Sequence, residues 1–568
     1  MTDPNRDVNG KNRIKDRVLT SGLTMSVNYD PVQGSMYQEI ERALEMNIQE
    51  DKDWVVLHNV LTGEKLSGID ALNYGKRFGA FLEQRGFKIG QVVHLILGNH
   101  NMTFPICFGA WILGGCISSG DVNLEPRSLS QQLNSLSTRF LICTPDTKDL
   151  AVEALNMVDR PQDIQAFCLG PNDMFEDLSA TLKNIDSIEC PDPVDVDTNS
   201  DVPIVFWSSG TTGHPKAICH THFSALRMAG VSVNFLTPKT NVVTTTCFFH
   251  MGGFFAAMLS FVRHLSCYHM FGPDFQLEHL LNTIVSAKPK SITIGTHHYV
   301  QLAESELLAN ANPEDLASLE YIAPAGAAVP RSCAAFYHKM CPNLKGVLNI
   351  YGQTEGGILT IGMSNTSLGA IFPGISMKVE NIATGEGCCP YEEGELCYKT
   401  PVVMKGYHNR AKENAAFFDH EGYAHSGDLV YYTPDGDIHY VDRLKEIIKY
   451  KNNHVAPTEL EDIMQRHPAV QECLVFGKPN DEVQELISAV VVLKPGQKVS
   501  AEDLRSFVNN EVTDYKKIRG QIILSNHIPR NSMGKLVRRE MREWARHQGN
   551  PKDTDIHAPI LSSQMLAH

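Results

Sequence analysis

Residues 204–218 read Ile-Val-Phe-Trp-Ser-Ser-Gly-Thr-Thr-Gly-His-Pro-Lys-Ala-Ile, a buried-strand run that opens into hydroxyls and glycines and closes on one lysine. Glycine lets backbone N–H groups approach phosphate oxygens, and short hydroxyl side chains add further donors. The lysine supplies a positive charge. We therefore predict a polyphosphate-binding loop formed by Ser208, Ser209, Gly210, Thr211, Thr212, Gly213 and Lys216.

This loop differs from a Walker A loop, which ends in Gly-Lys-Ser/Thr and leads into a helix. Here Lys216 follows Pro215 and precedes Ala217. The alternative interpretation is an ordinary polar hairpin, since clusters of Ser, Thr and Gly usually mark turns.

The composition bounds the class of protein. A chain of 568 residues is too long for one compact core, so two or more domains are expected. Its 42% hydrophobic and 20% charged residues are typical of an ordinary globular protein. The net charge of −15 excludes nucleic acid as the main partner, because a phosphate backbone requires a basic face. A few local cations and backbone N–H groups are still enough to bind an anionic nucleotide.

Cysteines and termini bear on the compartment. The 14 cysteines include no C-x-x-C pair, and Cys388 and Cys389 are adjacent, which indicates reduced structural thiols. The first thirty residues are polar, without the apolar segment of a secretory signal. The chain ends Met-Leu-Ala-His and lacks the peroxisomal Ser-Lys-Leu. The expected location is therefore the cytoplasm.

Short β-branched runs alternate with helix-length segments, which predicts βα units: an α/β fold of mostly parallel sheets with helices on both faces. The apolar stretch 104–117 is too short to span a bilayer, which needs roughly 20 apolar residues, and predicts a buried helix. The predicted strands begin at Val92, Arg139, Ala166, Ile204 and Ser291, and predicted helices cover Asp70–Gln84 and Leu277–Ala287.

After Arg443 the pattern restarts as a small α+β unit. Helices are predicted near 457–467 and 501–512, and strands at 472–477 and 488–493. We therefore predict three parts: a flexible tail over 1–30, a large domain over 31–442 and a small C-terminal domain over 443–568.

Five segments in one order carry a resemblance to a known family. The first is the loop at 204–218, and the others are Tyr351-Gly-Gln-Thr-Glu-Gly, His425-Ser-Gly-Asp-Leu, Asp442-Arg-Leu-Lys-Glu-Ile-Ile-Lys and Pro529-Arg-Asn-Ser-Met-Gly-Lys535. Together they resemble the acyl-adenylate-forming superfamily, which includes acyl-CoA synthetases, 4-coumarate-CoA ligases, beetle luciferases and peptide-synthetase adenylation domains. The resemblance implies that the small domain is a lid, with a hinge near 442–445 that includes Lys445.

The resemblance also implies a set of nucleotide-binding residues. Lys535 matches the lid lysine that reaches the carboxylate and the α-phosphate, although a basic tail also explains it. Asp428 and Arg443 match residues that hold the ribose hydroxyls; the alternative is a turn carboxylate and a hinge salt bridge. Thr354 matches a donor to the α-phosphate. The remaining members of the expected ATP site are Tyr351, Gly352, Gln353, Gly326 and Ala327, the last two against the adenine.

Magnesium and the acyl group are assigned in the same way. Glu355 resembles the acidic ligand of the Mg²⁺ that accompanies ATP, with Thr212 as a second ligand. His250 matches a histidine at the mouth of the acyl pocket, where it would position the carboxylate, although a lone histidine is more often a core residue. Lys449 matches a lysine used in the second half-reaction, and a solvated lysine is the alternative.

Three positions depart from the family pattern. Gly252 replaces an aromatic residue, which widens the expected acyl pocket. His297 and His298 occupy an apolar segment, where they either bind a polar substrate tail or are buried and hydrogen-bonded. Asn452 replaces a glycine that approaches CoA.

The predicted function is that of an acid–thiol ligase, which joins a carboxylic acid to CoA through an acyl-adenylate and uses ATP and Mg²⁺. A luciferase-like oxygenase starts from the same adenylate and stays open as an alternative, as does a homologue that binds ATP without turnover. A carrier-loading adenylation domain is disfavoured, since no carrier module with an Asp-Ser attachment site follows the lid.

Overall fold

In the computed structural model, the strand that ends at Ser208 lies in a sheet whose other central strands run parallel to it. The structure describes residues 12–21, 34–185, 190–208, 215–230, 239–272, 275–326, 331–363, 367–451, 453–480, 482–530 and 538–547. Mostly parallel sheets flanked by helices confirm the predicted α/β class.

The strands are numbered in chain order. They are β1 (Arg13–Lys15), β2 (Val18–Thr20), β3 (Val55–Asn59), β4 (Lys65–Ser67), β5 (Val92–Ile96), β6 (Cys116–Ser119), β7 (Phe140–Cys143), β8 (Gln165–Cys168), β9 (Glu176–Asp177), β10 (Ile204–Ser208), β11 (Lys216–His220), β12 (Asn241–Thr244), β13 (Cys267–Met270), β14 (Ser291–Gly295), β15 (Tyr321–Ala325), β16 (Gly346–Val347), β17 (Asn349–Gln353), β18 (Gly357–Gly362), β19 (Ala370–Ile371), β20 (Ser376–Glu380), β21 (Gly394–Lys399), β22 (Gly406–Tyr407), β23 (Ala424–Tyr432), β24 (Ile438–Arg443), β25 (Ile448–Tyr450), β26 (Asn453–Val455), β27 (Val470–Asn480), β28 (Gln484–Leu493) and β29 (Ile522–Leu524).

The α-helices are numbered in the same way. They are α1 (Met36–Glu50), α2 (Gly68–Gln84), α3 (Thr103–Ile112), α4 (Pro126–Ser135), α5 (Lys148–Leu155), α6 (Leu178–Lys183), α7 (His222–Gly230), α8 (Met251–Arg263), α9 (Leu277–Ala287), α10 (Thr296–Glu304), α11 (Glu306–Ala309), α12 (Arg331–Met340), α13 (Ala411–Phe417), α14 (Pro457–Gln465), α15 (Ala501–Asn509) and α16 (Arg538–His547). Short 3₁₀ helices cover Pro145–Thr147, Pro161–Asp163, Pro313–Leu316 and Asp514–Lys516.

The chain divides into two compact units. The first comprises residues up to Ile14, Val18–Ser376 and Tyr398–Ala424, and the second comprises Lys15–Arg17, Met377–Cys397 and the residues from His425 onward. The boundary expected at 442/443 and the hinge expected at 442–445 stay predictions.

Two sheets form the centre of the first unit. The larger has the order β22-β11-β10-β6-β5-β7-β8-β9, with β11 and β22 antiparallel at one edge. The second has the order β16-β15-β14-β12-β13-β3-β4 and is parallel except for β4. The five predicted strands of this region are confirmed as β5, β7, β8, β10 and β14, and the predicted helices as α2 and α9. Strands β5 and β7 are buried throughout, as expected where helices cover both faces of a parallel sheet.

Helix α3 confirms the predicted buried helix, since all ten of its residues are buried. It packs closely on α2 because three glycines leave room for the two backbones. A Cβ on Gly109 would lie 2.6 Å from Gly75 O and 2.6 Å from Gly79 N. The end of the predicted helix was wrong: Cys116 and Ile117 begin strand β6. Within the described part of the chain, no helix combines the length and hydrophobicity that crossing a bilayer requires.

Part of the predicted tail has regular structure. Residues 12–21 are described and contain the short strands β1 and β2. The Asn12 side chain accepts a hydrogen bond from Ile371 N at 2.7 Å and donates one to Gly369 O at 3.3 Å.

The second unit contains two sheets. In one, β20, β21, β23 and β24 are neighbours in that order. The other has the order β26-β25-β28-β27, and β29 pairs in parallel with β28. The predicted α+β pattern is confirmed by α14, β27, β28 and α15, although each strand begins earlier than predicted.

Several histidines are buried in the first unit and stay neutral there. His94 on β5 is fully buried; burial lowers its pKa to about 3. Its Nδ1 lies 3.1 Å from Ser118 Oγ, which also accepts a hydrogen bond from Trp207 Nε1. Burial also lowers the pKa of His220, His222 and His269 to about 4.

We expect this burial to make folding sensitive to acid. An unfolded histidine takes up a proton near pH 6.5, whereas folded His94 does not do so until about pH 3, so stability is lost as the pH falls below 6.5. In urea unfolding at pH 7, 6 and 5, His94→Gln should reduce the slope of unfolding free energy against pH by about 1.2 kcal/mol per pH unit between pH 6 and 5, and by about half of that between pH 7 and 6. Exposed His338 provides the control, His338→Gln. Equal slopes in wild type and His94→Gln would contradict the assignment.

Candidate active site

Three predicted site segments follow the carboxyl ends of parallel strands in the first unit. Ser208 ends β10, His250 lies in the loop after β12, and Gly326 follows β15. In open α/β sheets, ligands bind in the crevice outside the carboxyl ends of the strands. The fold therefore gathers residues that are distant in sequence at the ends of the strands where this rule places a ligand.

Asn99 joins the two sheets at these ends. It follows β5 in the larger sheet, and its side-chain amide donates to Thr246 O at 2.9 Å. Its Oδ1 accepts from Phe248 N at 2.8 Å. Thr246 and Phe248 belong to the loop after β12 of the second sheet, so one buried amide holds the loop that leads to His250.

The flanks of the predicted phosphate loop face each other. Strands β10 and β11 are antiparallel, and Ser208 is paired with Lys216. Both residues are partly buried. The loop is therefore closed at its base by a strand ladder. Ser209, Gly210, Thr211, Thr212 and Gly213 lie outside the described residues.

Tyr407 links the loop lysine to the predicted magnesium ligand. The Lys216 Nζ lies 4.8 Å from the centroid of the Tyr407 ring. The Tyr407 hydroxyl donates to Glu355 Oε1 at 2.9 Å. Burial and the adjacent Glu355 carboxylate raise the pKa of Tyr407, so its hydroxyl keeps the proton that it donates. Lys216 and Glu355 are thus brought together, 139 residues apart in sequence, by a tyrosine that sequence reasoning missed.

His220 fixes the segment that contains Thr354. Its Nε2 lies 2.8 Å from Thr354 O and its Nδ1 lies 3.3 Å from Ser224 Oγ. Because a carbonyl oxygen only accepts, Nε2 carries the proton. Burial lowers the pKa of His220 to about 4, so Nδ1 is free of a proton and accepts from Ser224. Glu355 is held in turn by Met404 N, which donates to Glu355 O at 2.7 Å.

Tyr351, Gly352 and Gln353 lie on β17, which pairs with β18 through a bulge at Tyr351/Gly352. A Cβ at position 352 would lie 2.2 Å from Gly357 O, so only glycine fits this close approach.

Gly326, predicted to lie against the adenine, directly follows β15 and has φ +101. The Thr296 hydroxyl donates to Ala325 O at 3.1 Å and holds the end of β15 directly before Gly326. Ala327 lies outside the described residues.

His250 is the N-cap residue of α8, directly before the helix. Burial lowers its pKa to about 4, and the Asp121 carboxylate opposes this shift. Its Nε2 is buried and has no hydrogen-bond partner among the described residues. Asp121 follows β6 at the carboxyl edge of the larger sheet, and sequence reasoning missed it. The neutral ring is thus available to a ligand.

Gly252 is exposed, and a Cβ there would meet nothing within 4 Å. The expectation of empty volume beside His250 therefore agrees with the local geometry. That this volume is the acyl pocket stays a prediction.

His297 and His298 begin α10 at the carboxyl end of β14. Their ring centroids are 3.6 Å apart, and the His298 ring lies 4.6 Å from that of Phe275. Burial lowers the pKa of His298 to about 3, and His297 lowers it further. The pair is therefore partly buried and His298 is neutral; its role stays open.

Asp428 and Arg443 meet in the second unit. Strands β23 and β24 pair them in register, and Arg443 Nε lies 2.7 Å from Asp428 Oδ1. Asp428 is 1% exposed. The structure thus brings the two predicted ribose-binding residues together as an ion pair, which is also what the alternative interpretation expected.

The predicted hinge segment is anchored on both sides within the second unit. Asp442 Oδ2 accepts from Thr458 N at 3.1 Å. The Arg542 guanidinium donates to Lys445 O at 3.0 Å and to Glu446 O at 2.9 Å. Arg542 lies on α16, the helix that begins three residues after Lys535. A helix next to the predicted lid lysine therefore holds the predicted hinge backbone.

Of the predicted lysines that act on the acyl group, only Lys449 is among the described residues. Lys449 is exposed on β25, and its backbone N donates to Glu485 Oε2 at 2.7 Å. Lys535 and Asn452 lie outside the described residues.

Comparisons with known proteins identify the family. The model of the AMP-binding enzyme family matches residues 44–408, and that of its C-terminal domain matches residues 459–535. The chain belongs to the AMP-binding enzyme family. It is an adenylate-forming enzyme of the acyl-CoA ligase superfamily, which confirms the resemblance.

Relatives of this AMP-binding enzyme differ in their named activities. It is 28% identical over 84% of its length to 4-coumarate--CoA ligase-like 9 of Oryza sativa subsp. japonica, of which the match covers 89%. It is 31% identical to luciferin 4-monooxygenase of Photinus pyralis over 62% of this chain and 64% of that protein. The crystal structure of ATP-bound MatB from Rhodopseudomonas palustris has the same fold, with a TM-score of 0.79, 20% identity, and coverage of 90% of this chain and 99% of that one.

Tyr407→Phe tests the link between Lys216 and Glu355, since it removes the hydroxyl and keeps the ring. A hydrogen bond to a charged group contributes about 1.5–3 kcal/mol, so we expect adenylate formation to slow by about tenfold to a hundredfold. Pyrophosphate release with saturating acid measures this rate. The control is Tyr423→Phe, whose hydroxyl accepts from Ser376 Oγ at 3.3 Å. Equal rates in Tyr407→Phe and wild type would show that the link does not serve the reaction.

Proposed function

We propose that this enzyme is an acid–thiol ligase, which converts a carboxylic acid, ATP and CoA into an acyl-CoA, AMP and pyrophosphate. In the first half-reaction, a carboxylate oxygen attacks the α-phosphorus and pyrophosphate leaves. In the second, the CoA thiol attacks the acyl carbon and AMP leaves. Both steps bring anions together, so the site must supply positive charge and oriented donors.

The observation that carries the proposal is the group formed by Lys216, Tyr407 and Glu355. A lysine lies at the base of the predicted phosphate loop, and the Tyr407 ring links it to a half-buried carboxylate at the carboxyl edge of the larger sheet. A loop that binds polyphosphate with a metal needs both charges.

Glu355 fits the chemistry of a magnesium ligand. Mg²⁺ takes one or two carboxylates and completes its shell with phosphate oxygens and water. The Tyr407 hydroxyl contacts Glu355 Oε1, so the carboxylate keeps a fixed orientation and offers its other oxygen. The ion would neutralise phosphate charge. Thr212, the second proposed ligand, is outside the described residues.

We assign the remaining roles by chemistry. Asp428 accepts from the ribose hydroxyls while Arg443 holds its carboxylate in place. His250, neutral and with Nε2 unpaired among the described residues, donates one hydrogen bond from Nε2 to the acid's carboxylate. Thr354 donates to the α-phosphate, Lys535 contacts the carboxylate and the α-phosphate, and Lys449 serves the thiol step.

A pyrophosphate-release screen over fatty, aromatic and dicarboxylic acids, with and without CoA, tests the proposal. A ligase should release pyrophosphate with its acid and form acyl-CoA only when CoA is present. Light emission with luciferin and O₂, without acyl-CoA from any acid, would instead show the luciferase-like oxygenase. ATP binding without pyrophosphate release from any acid would show a homologue without turnover.

Lys535→Ala should separate the two half-reactions. Loss of one preorganised charge at a developing oxyanion costs about 10²–10³ in rate, so adenylate formation should fall by that factor. Transfer from preformed acyl-AMP to CoA should continue, because this lysine serves only the first step. Exposed Lys498 provides the control, Lys498→Ala. Equal loss of both half-reactions would contradict the role of Lys535.

Gly252→Phe tests the acyl pocket. A phenyl ring would fill the empty volume beside His250, and a close-packed site cannot share this volume with a bulky acyl group. The ratio of kcat/KM for a long acid to that for a short acid should fall by at least about tenfold. Gly252→Ala, a smaller change, should shift the ratio less, and ATP binding should persist in both. An unchanged ratio in Gly252→Phe would exclude residue 252 from the pocket.

A further inference from the structure

Three strands of the second unit place metal-binding side chains next to one another. Glu380 lies on β20, Cys397 on β21 and His425 on β23, and these strands are neighbours in the sheet. One carboxylate oxygen, Sγ and one imidazole nitrogen all lie within 4.8 Å of one another. The group contains none of the residues assigned above to ATP, the acid or CoA.

The two separations from the sulfur match the edges of a zinc coordination tetrahedron. Cys397 Sγ is 3.5 Å from Glu380 Oε2 and 3.5 Å from His425 Nδ1. A tetrahedral Zn²⁺ with Zn–S of about 2.3 Å and Zn–N or Zn–O of about 2.0–2.1 Å sets its sulfur about 3.5 Å from each of the other ligands. An ion can therefore be bound with little movement of the three side chains.

Neighbouring groups already orient two of the ligands. Lys378 Nζ lies 2.8 Å from Glu380 Oε1, which turns the other oxygen toward the thiol. Glu395 Oε1 accepts from Gly427 N at 2.9 Å, and its Oε2 lies 3.0 Å from His425 Nδ1. Glu395 thus holds the His425 ring in place while no ion is bound.

We propose that Glu380, Cys397 and His425 form a binding site for a zinc-class divalent ion. One sulfur, one nitrogen and carboxylate oxygen together suit Zn²⁺ and its spectroscopic substitute Co²⁺, whereas Mg²⁺ prefers oxygen alone. Binding converts the Cys397 thiol to a thiolate and releases its proton to solvent. Without the ion, the same groups are satisfied by hydrogen bonds: Cys397 to Glu380, and His425 to Glu395.

Co²⁺ titration of the full-length, chelator-treated protein tests the site. Wild type should bind one Co²⁺ with a thiolate-to-cobalt charge-transfer absorption band. Cys397→Ser should lose this band and bind at least tenfold more weakly, while the control Cys389→Ser, an exposed thiol of the same unit, should behave as wild type. A band that persists in Cys397→Ser, or no stoichiometric binding to wild type, would overturn the proposal.

A second measurement is independent of the thiol. Zn²⁺ should raise the Tm of wild type by binding only the folded state, and Glu380→Gln should reduce this rise. Circular dichroism without metal shows whether each variant is folded. An equal rise in folded wild type and folded Glu380→Gln would also overturn the site. Neither readout depends on the ligase reaction, so failure of the zinc site and failure of the proposed function are distinguishable.

Discussion

The pairing of β11 on both of its sides is the constraint on which the candidate site depends. Strand β10 pairs with one edge and sets Ser208 opposite Lys216. Strand β22 pairs with the other edge and brings in Tyr407 from far along the chain. Backbone hydrogen bonds to β11 continue beyond the end of β22, since His408 N donates to Ala217 O at 2.9 Å. Backbone ladders therefore fix the position of Tyr407 beside Lys216, and the Tyr407 hydroxyl extends this arrangement to Glu355.

Burial determines which histidines of this site carry no charge. His220 and His250 are kept neutral by burial, so they act through hydrogen bonds and add no positive charge. Lys216 and Glu355 both contact Tyr407, Lys216 at the ring and Glu355 at the hydroxyl. An anionic ligand at this edge would be balanced by a lysine and a metal ion, and the histidines would position the groups around it.

Local patterns predicted the α/β sheets, which are confirmed, and a phosphate loop, which stays a prediction. The hydroxyl and glycine pattern after β10 indicated the phosphate loop, and alternating apolar runs indicated the sheets, because both signals depend on residues close in sequence. Tyr407, Asn99 and Asp121 were missed for the opposite reason. Their roles arise from strand pairing and sheet contacts across long stretches of chain, and neither Gly-Tyr nor a lone Asn carries a local pattern that marks it.

Local motifs also do not identify the acid, because the residues that would contact it are distant from one another in sequence. Motif residues such as Lys216, Glu355 and Asp428 are assigned to the phosphates, metal and ribose of ATP. Adenylate-forming enzymes use ATP whichever acid they act on. The acyl group would face positions outside the motifs, and the candidates here are Gly252, with open space around a Cβ at that position, and the adjacent rings of His297 and His298. Because a pocket selects by volume and by the pairing of its buried polar groups, two enzymes with identical motifs differ in substrate wherever these positions differ. We therefore predict that selectivity in this chain depends on the start of α8 and on the start of α10, the two helices that follow β12 and β14.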